Sequence, residues 1–260
     1  MVSGGFDSSG EDLGEISYAA GIGQRLPLML CLDISKSMTG HPIASLNQAL
    51  TDWCAEIRSD VQLKTSVQIG LVTFGDGGVR VWQGREEFTA TTPGVPFVPA
   101  SEFYPPPLAA GGVTLLTEAV ELAIRHVSAY KGWLKGHGYT YYRPLIFLLT
   151  DGLPTDATGH LTTSWRRLIP DLSAARGNSG FEFYAIGVGS MMPQGEEVLS
   201  TLAPGAYRVL CGFPFRSLLR LLSATIEKVM DGSGQEIPLM TQPVMEPLVE
   251  DLFVQRPAGE

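Results

Sequence analysis

The chain has 260 residues, 44% of them hydrophobic, enough for one large domain with a substantial core, and its 17% of charged residues is low for a soluble domain. The formal net charge of -9 is concentrated at the two ends: Asp7, Glu11, Asp12 and Glu15 against Arg25 in residues 1–25, and Asp231, Glu236, Glu246, Glu250, Asp251 and Glu260 against Arg256 in residues 231–260. The near-neutral middle offers no basic stripe to neutralise phosphates, so nucleic acid is excluded as the expected partner.

Residues 1–25, rich in Gly, Ser and acids, are expected to be disordered. They show no basic region followed by an apolar stretch, and no apolar run in the chain is long enough to span a bilayer, so the expected setting is cytoplasmic and soluble, away from the membrane. The three cysteines, Cys31, Cys54 and Cys211, lack the paired spacing of a disulfide framework or a zinc site, and the first two read as small core residues.

Residues 26–32 open an uninterrupted apolar strand that ends at Asp33, as suits a parallel strand covered on both faces. Over 42–58 the residues Ile43, Leu46, Leu50, Trp53, Cys54 and Ile57 recur at helical spacing, with Pro42 suited to the first turn. Residues 67–74 and 79–82 read as a hairpin about the turn Asp76-Gly77-Gly78, which makes one antiparallel edge strand. Residues 86–112 are irregular, and 114–130 form a helix by pattern. An apolar strand over 145–150 ends at Asp151. A helix over 165–175, strands over 181–188 and 207–210, and an amphipathic helix over 215–230 complete the run. This alternation predicts a doubly wound α/β sheet with helices on both faces.

Residues 231–260 are expected to be extended, since their prolines forbid one continuous helix. Apolar residues such as Leu239, Leu248, Val249, Leu252 and Phe253 make the segment adhesive. It is expected to dock on a partner; packing back on the domain is the alternative.

In doubly wound sheets ligands bind beyond the carboxyl ends of the strands, where strand order reverses. Three groups fall at such positions. Asp33-Ile34-Ser35-Lys36-Ser37 follows the first strand, Gly111-Gly112-Val113-Thr114 enters a helix, and Thr150-Asp151-Gly152 ends a later strand. Among them Asp33, Asp151, Ser35, Ser37 and Thr114 offer two carboxylates and three hydroxyls, an oxygen-only set suited to a hard cation such as Mg2+ or Mn2+. So weakly charged a set leaves a coordination position for an outside carboxylate. Thr117, one helical turn on, is an alternative to Thr114. Gly187-Val188-Gly189 lacks the rest of a dinucleotide fingerprint and reads as a strand-to-loop turn. The four histidines are scattered. Tyr139, Tyr141 and Tyr142 either edge the core or rim a binding surface.

In this order and context the Asp33-x-Ser35-x-Ser37 motif, Thr114 and Asp151 resemble the metal-ion-dependent adhesion site of von Willebrand factor A (VWA) domains, over residues 26–230. Residues 32–43 (LDISKSMTGHPI), 110–116 (AGGVTLL) and 147–156 (FLLTDGLPTD) are similar to the TerY-like bacterial branch. Lys36 stands where that branch usually has Gly, and Val113 is an extra residue between the Gly pair and the Thr. The resemblance implies Ser35, Ser37 and Thr114 as direct metal ligands, with Asp33 and Asp151 acting mainly through water. It further implies a metal-dependent scaffold or adaptor in a bacterial tellurite-resistance or stress-response pathway. A kinase or a PP2C-like phosphatase is then a candidate partner, supplying an Asp or Glu. The rival reading is a magnesium-dependent phosphatase-like or other hydrolytic enzyme. Aspartyl-phosphate chemistry wants a second acid two residues after the nucleophile, where Ser35 stands, and no Gly-x-Ser-x-Gly elbow is present. The chain is therefore expected not to be an enzyme.

Overall fold

The computed structural model describes residues 24–92, 94–177, 180–232 and 238–242. The expected tail over 1–23 and most of the C-terminal segment lie outside the described residues.

One sheet organises the chain. Its strands are β1 (Leu26–Ile34), β2 (Val67–Gly75), β3 (Gly78–Gln83), β4 (Glu86–Glu87), β5 (Val98–Pro99), β6 (Leu145–Thr150), β7 (Glu182–Gly187) and β8 (Tyr207–Val209). The order is β4-β3-β2-β1-β6-β7-β8, with β5 pairing the start of β2. β2, β1, β6, β7 and β8 run parallel, and the β2–β3 hairpin turns the near edge antiparallel. Every residue of β1, β2 and β6 is buried. That double coverage explains why β1 and β6 are nearly continuous apolar runs rather than alternating ones; β2 buries the polar Gln68 and Thr73 as well, and Thr73 Oγ1 accepts the Trp82 indole N–H at 2.9 Å.

The pleat sends Leu26, Leu28, Leu30 and Leu32 to one face and Met29 and Cys31 to the other. The first face is closed by α1 (His41–Ser59) and α6 (Phe215–Met230), which Trp53 joins by donating its indole N–H to Ser223 Oγ at 2.9 Å. The second is closed by α3 (Leu116–Gly136), α4 (Ile169–Gly177) and α5 (Pro193–Leu202). A four-residue helix, α2 (Leu63–Ser66), leads into β2. Cys31 and Cys54 are buried and Cys211 is exposed, all three as free thiols.

Three features differ from expectation. α3 starts two residues later than its apolar pattern and runs on to Gly136. α5 was not anticipated. Pro238–Thr241 is a short helix, α7, rather than extended chain. Leu239 is fully buried against α6, its N–H donates to Thr225 Oγ1 at 3.0 Å, and Arg208 donates to the carbonyls of Leu239 and Gln242 at 2.9 and 2.6 Å. Pro238 occupies the first position of α7, within the first turn whose N–H groups have no intrahelical acceptor, so a proline-bearing segment can still begin a helix here.

The tyrosine cluster lies at the amino end of the sheet. Tyr142 N–H donates to the Arg25 carbonyl at 2.8 Å, and the Arg25 guanidinium sits 3.9 Å from the Tyr139 ring centroid. These residues edge the core, at the end of β1 opposite Asp33.

Candidate metal centre

β1 lies between β2 and β6, and the chain leaves it in one direction and returns on its other side. That is the switch point of the sheet, and Asp33 and Asp151 stand at its carboxyl edge. Asp33 is fully buried in the last turn of β1. Its Oδ1 accepts the Ser35 N–H at 2.8 Å and its Oδ2 accepts the Thr150 hydroxyl at 2.5 Å, so both oxygens are held in fixed directions. Burial pushes this carboxyl up to about 6, against the lowering effect of the Ser35 and Thr150 hydrogen bonds; the Asp151 charge adds to the rise.

After Asp33 the chain makes a 3-10 turn over Lys36–Met38, which carries the two serines back over the sheet edge. Ser35 Oγ and Ser37 Oγ are 3.0 Å apart, and Ser37 Oγ donates to Asp151 Oδ1 at 2.7 Å. Burial raises the Asp151 carboxyl as well, and the Ser37 hydroxyl partly offsets it. Asp33, Ser35, Ser37 and Asp151 thus form one connected polar cluster on the ends of two neighbouring strands.

Thr114 joins from the loop before α3. That loop is pinned to the first one backbone to backbone: Gly111 N–H donates to the Ile34 carbonyl at 2.9 Å and Lys36 N–H to the Gly112 carbonyl at 3.3 Å. The approach is possible because Gly112 has φ +69 and a Cβ there would sit 2.4 Å from the Gly75 carbonyl oxygen. Thr155 holds Thr114 from the other side, accepting its N–H on the hydroxyl at 2.9 Å and donating its own N–H to the Thr114 carbonyl at 2.9 Å. The extra Val113 therefore leaves Thr114 on the site. Thr117, one helical turn on, is fully buried, and its hydroxyl is 3.0 Å from Ser164 Oγ.

Gly152 shows that Thr114 and Ser37 face a common space. A Cβ at Gly152 would lie 3.4 Å from Thr114 Oγ1 and 3.9 Å from Ser37 Oγ, so its missing side chain leaves room between the two hydroxyls. Thr150, Gly152 and Thr155 were not singled out as site residues from the sequence. Thr150 and Gly152 flank Asp151 in the motif, whereas Thr155 acts only through a contact across 41 residues.

The donors fit a hard divalent cation: three hydroxyls, two carboxylates, and neither nitrogen nor sulfur. Among the described residues no three His, Cys, Asp or Glu side chains gather as a stronger metal site. Two carboxylates balance the formal charge of such an ion, and five side chains leave at least one position of an octahedral shell for a further ligand. Gly187 and Gly189 are accounted for by packing, since a Cβ at either would press on Met191 or Phe213.

No protein-family model matches the sequence, and no curated protein matches it. Solved structures do match. The pilus adhesin SpaC from Lactobacillus rhamnosus GG is similar at 15% identity and TM-score 0.51, over 81% of this chain and 31% of that one. The vWF domain of the pili tip protein Mfa5 from Porphyromonas gingivalis is similar at 12% identity and TM-score 0.48, over 84% of this chain and 97% of that one. The fold shared with the adhesin is a mostly parallel α/β sheet with one antiparallel edge and helices on both faces. Proximal thread matrix protein 1 from the mussel byssus, in a structure with a zinc-occupied MIDAS motif, is similar at 17% identity and TM-score 0.49, over 83% of this chain and 47% of that one. At these identities the likeness is one of fold, and the chain spans less than half the length of the mussel protein and of the adhesin. Among the described residues, no helix is long and apolar enough to cross a membrane.

Proposed function

We propose that this VWA domain is a metal-dependent protein-interaction module. A divalent cation, Mg2+ or Mn2+, would be held directly by Ser35, Ser37 and Thr114 and through water by Asp33 and Asp151. A partner's Asp or Glu would complete the shell. The observation that carries the reading is the convergence of three loops on one polar cluster with only two carboxylates, at the switch point of the sheet. When bound, the cation would supply a Lewis-acidic centre for a partner carboxylate; Ser35, Ser37 and Thr114 would hold it, and Asp33, kept in a fixed direction by Ser35 N–H and the Thr150 hydroxyl, would present its charge to it. A contact of this kind gives specificity as well as affinity.

The module is read as non-catalytic. Two residues after Asp33 the chain offers Ser35, whose hydroxyl is 3.0 Å from that of Ser37, and a hydroxyl cannot protonate a leaving group as a carboxylic acid does. The sequence likeness of residues 32–43, 110–116 and 147–156 to the TerY-like branch supports the finer assignment: a scaffold or adaptor in a phosphorylation-linked bacterial stress-response or tellurite-resistance pathway, with a kinase or PP2C-like phosphatase as partner. Affinity capture on the immobilised chain, in magnesium and in chelator, tests the reading. Proteins retained only with magnesium and lost on Asp151→Ala are expected; an identical set under both conditions would reject it.

A further inference from the structure

The antiparallel edge of the sheet is covered at one end only. β4 pairs with Trp82 and Gln83, and Phe88 N–H still donates to the Val81 carbonyl at 2.8 Å. The chain then turns away, the Thr89 carbonyl accepting the Thr92 N–H at 3.0 Å. Among the described residues no strand lies outside Gly78–Val81.

The hairpin fixes where the backbone groups of that stretch point. Gly75 and Gly78 close the two-residue turn Asp76-Gly77, so their hydrogen bonds run between β2 and β3. In an antiparallel ladder such pairs alternate with pairs whose N–H and C=O face outward. Arg80 and Trp82, opposite Thr73 and Leu71, therefore bond to β2, whereas Val79 and Val81, opposite Phe74 and Val72, face away from it. The bond from Phe88 to the Val81 carbonyl has the same phase. Val79 is left with a free donor and a free acceptor, and Val81 with a free donor, among the described residues. Sheet edges are ordinarily guarded by lysine, proline or a covering segment, and Gly78–Val81 has none of these.

A cleft of about 390 Å³ runs beside this edge, between Val79 and Val81 on the sheet, Leu122 and His126 on α3, and Phe88. Val79 and Val81 face α3 because they share their side of the sheet with Val72 and Phe74. Phe88 stands edge-on to His126, with the ring centroids 5.6 Å apart. The charged residues of the lining, Arg80 and Glu87, are of opposite sign, so the cleft selects by shape rather than by charge.

The free backbone groups and the cleft specify one kind of occupant. A residue laid opposite Val79 in an antiparallel strand would exchange both hydrogen bonds with it, and opposed residues put their side chains on the same face, here into the cleft. A helix uses its own N–H and C=O groups internally and cannot make this match. Neither end of this chain starts at the edge: residues 1–23 join at β1, two strands inward, and Gln242 is held by Arg208 of β8, at the opposite edge.

We propose that the outer edge of β3 is a strand-addition site for an extended segment of another protein, with a Val, Ile or Phe side chain seated in the cleft. It is a second contact surface, and it needs no cation.

The test combines amide hydrogen exchange, read by NMR on the full chain, with anisotropy of a fluorescein-labelled hexapeptide, Thr-Val-Thr-Val-Thr-Lys, in chelator and in magnesium. In the free chain the Val79 amide is expected to exchange at least about a hundredfold faster than those of Arg80 and Trp82, which the ladder protects. The peptide is expected to bind equally in both buffers and to slow Val79 exchange about tenfold or more, while N-methylation of its two valines, or their replacement by Ser, weakens binding about tenfold or more. Val79→Pro removes the outward N–H and leaves the Thr73–Arg80 pairing, and Leu122→Gln alters the cleft wall alone; each is expected to abolish binding, and melting curves show that each variant folds. No binding by the valine peptide up to about 1 mM, binding that both substitutions leave unchanged, or binding that leaves Val79 exchange unchanged overturns the proposal. A Val79 amide already protected in the free chain also overturns it. Protection that survives dilution would assign the edge to this chain's own terminal residues, and protection lost on dilution would assign it to a second copy.

Discussion

Replacing Asp33 by Asn separates what this residue costs the fold from what it contributes to the site. In the metal-free protein Asp33 is fully buried and its carboxyl is pushed up to about 6 from the ordinary aspartate value of 3.8, chiefly by burial. A carboxylate with a raised folded-state pKa binds its proton more tightly folded than unfolded, so stability is lost as pH rises from 3.8 through 6 and the loss is complete above that range. A rise of this size corresponds to ~3 kcal/mol of destabilisation at neutral pH. Asn carries no charge and keeps an acceptor for the Ser35 N–H. It loses the acceptor that the Thr150 hydroxyl uses, at a cost of about 1 kcal/mol. Asp33→Asn in chelator at pH 7.5 is therefore expected to be more stable than the parent by ~1–2 kcal/mol, a few degrees in melting temperature for a domain of this size. The gap closes as pH falls from 6 toward 4. Excess magnesium raises the parent's melting temperature and leaves the variant's unchanged. Scanning calorimetry of both proteins across pH, with chelator and with magnesium, reads all of this. A variant less stable than the parent in chelator at pH 7.5, or one that gains the same increment from magnesium, refutes the reasoning.

Gly152→Ala places a methyl group 3.4 Å from Thr114 Oγ1 without requiring a left-handed backbone, so calorimetry is expected to show magnesium affinity falling tenfold or more while the melting temperature in chelator stays within a degree or two. Gly112→Ala meets the Gly75 carbonyl at 2.4 Å in a left-handed conformation, and chemical denaturation should show a loss of ~2–4 kcal/mol together with magnesium binding. Thr155→Val removes the acceptor for the Thr114 N–H and should weaken magnesium binding several-fold at a stability cost of about 1 kcal/mol. Leu239→Ser, which exchanges a fully buried apolar side chain for a hydroxyl, should cost ~2–4 kcal/mol in urea unfolding; an unchanged midpoint would mean that α7 does not pack on α6.

The parts of this domain legible in the sequence are those whose cause is local. β1 and β6 announce themselves because burial on both faces demands nearly continuous apolar runs, and Asp33 and Asp151 stand out because each ends such a run. α5 did not, since its ten residues carry a Gly and too few apolar positions to show a period. α7 was hidden by its proline, which bars the interior of a helix but not its first residue. The roles of Thr150, Gly152 and Thr155 depend on which loops meet at the sheet edge. Thr155 is indistinguishable from any loop threonine until residue 114 is beside it.

The chain enters the sheet at Arg25, beside the tyrosine cluster and at the end of β1 opposite Asp33. Force applied at that entry would reach the Asp33 loop only along the whole length of β1, whose hydrogen bonds to β2 and β6 would first spread it sideways into the sheet.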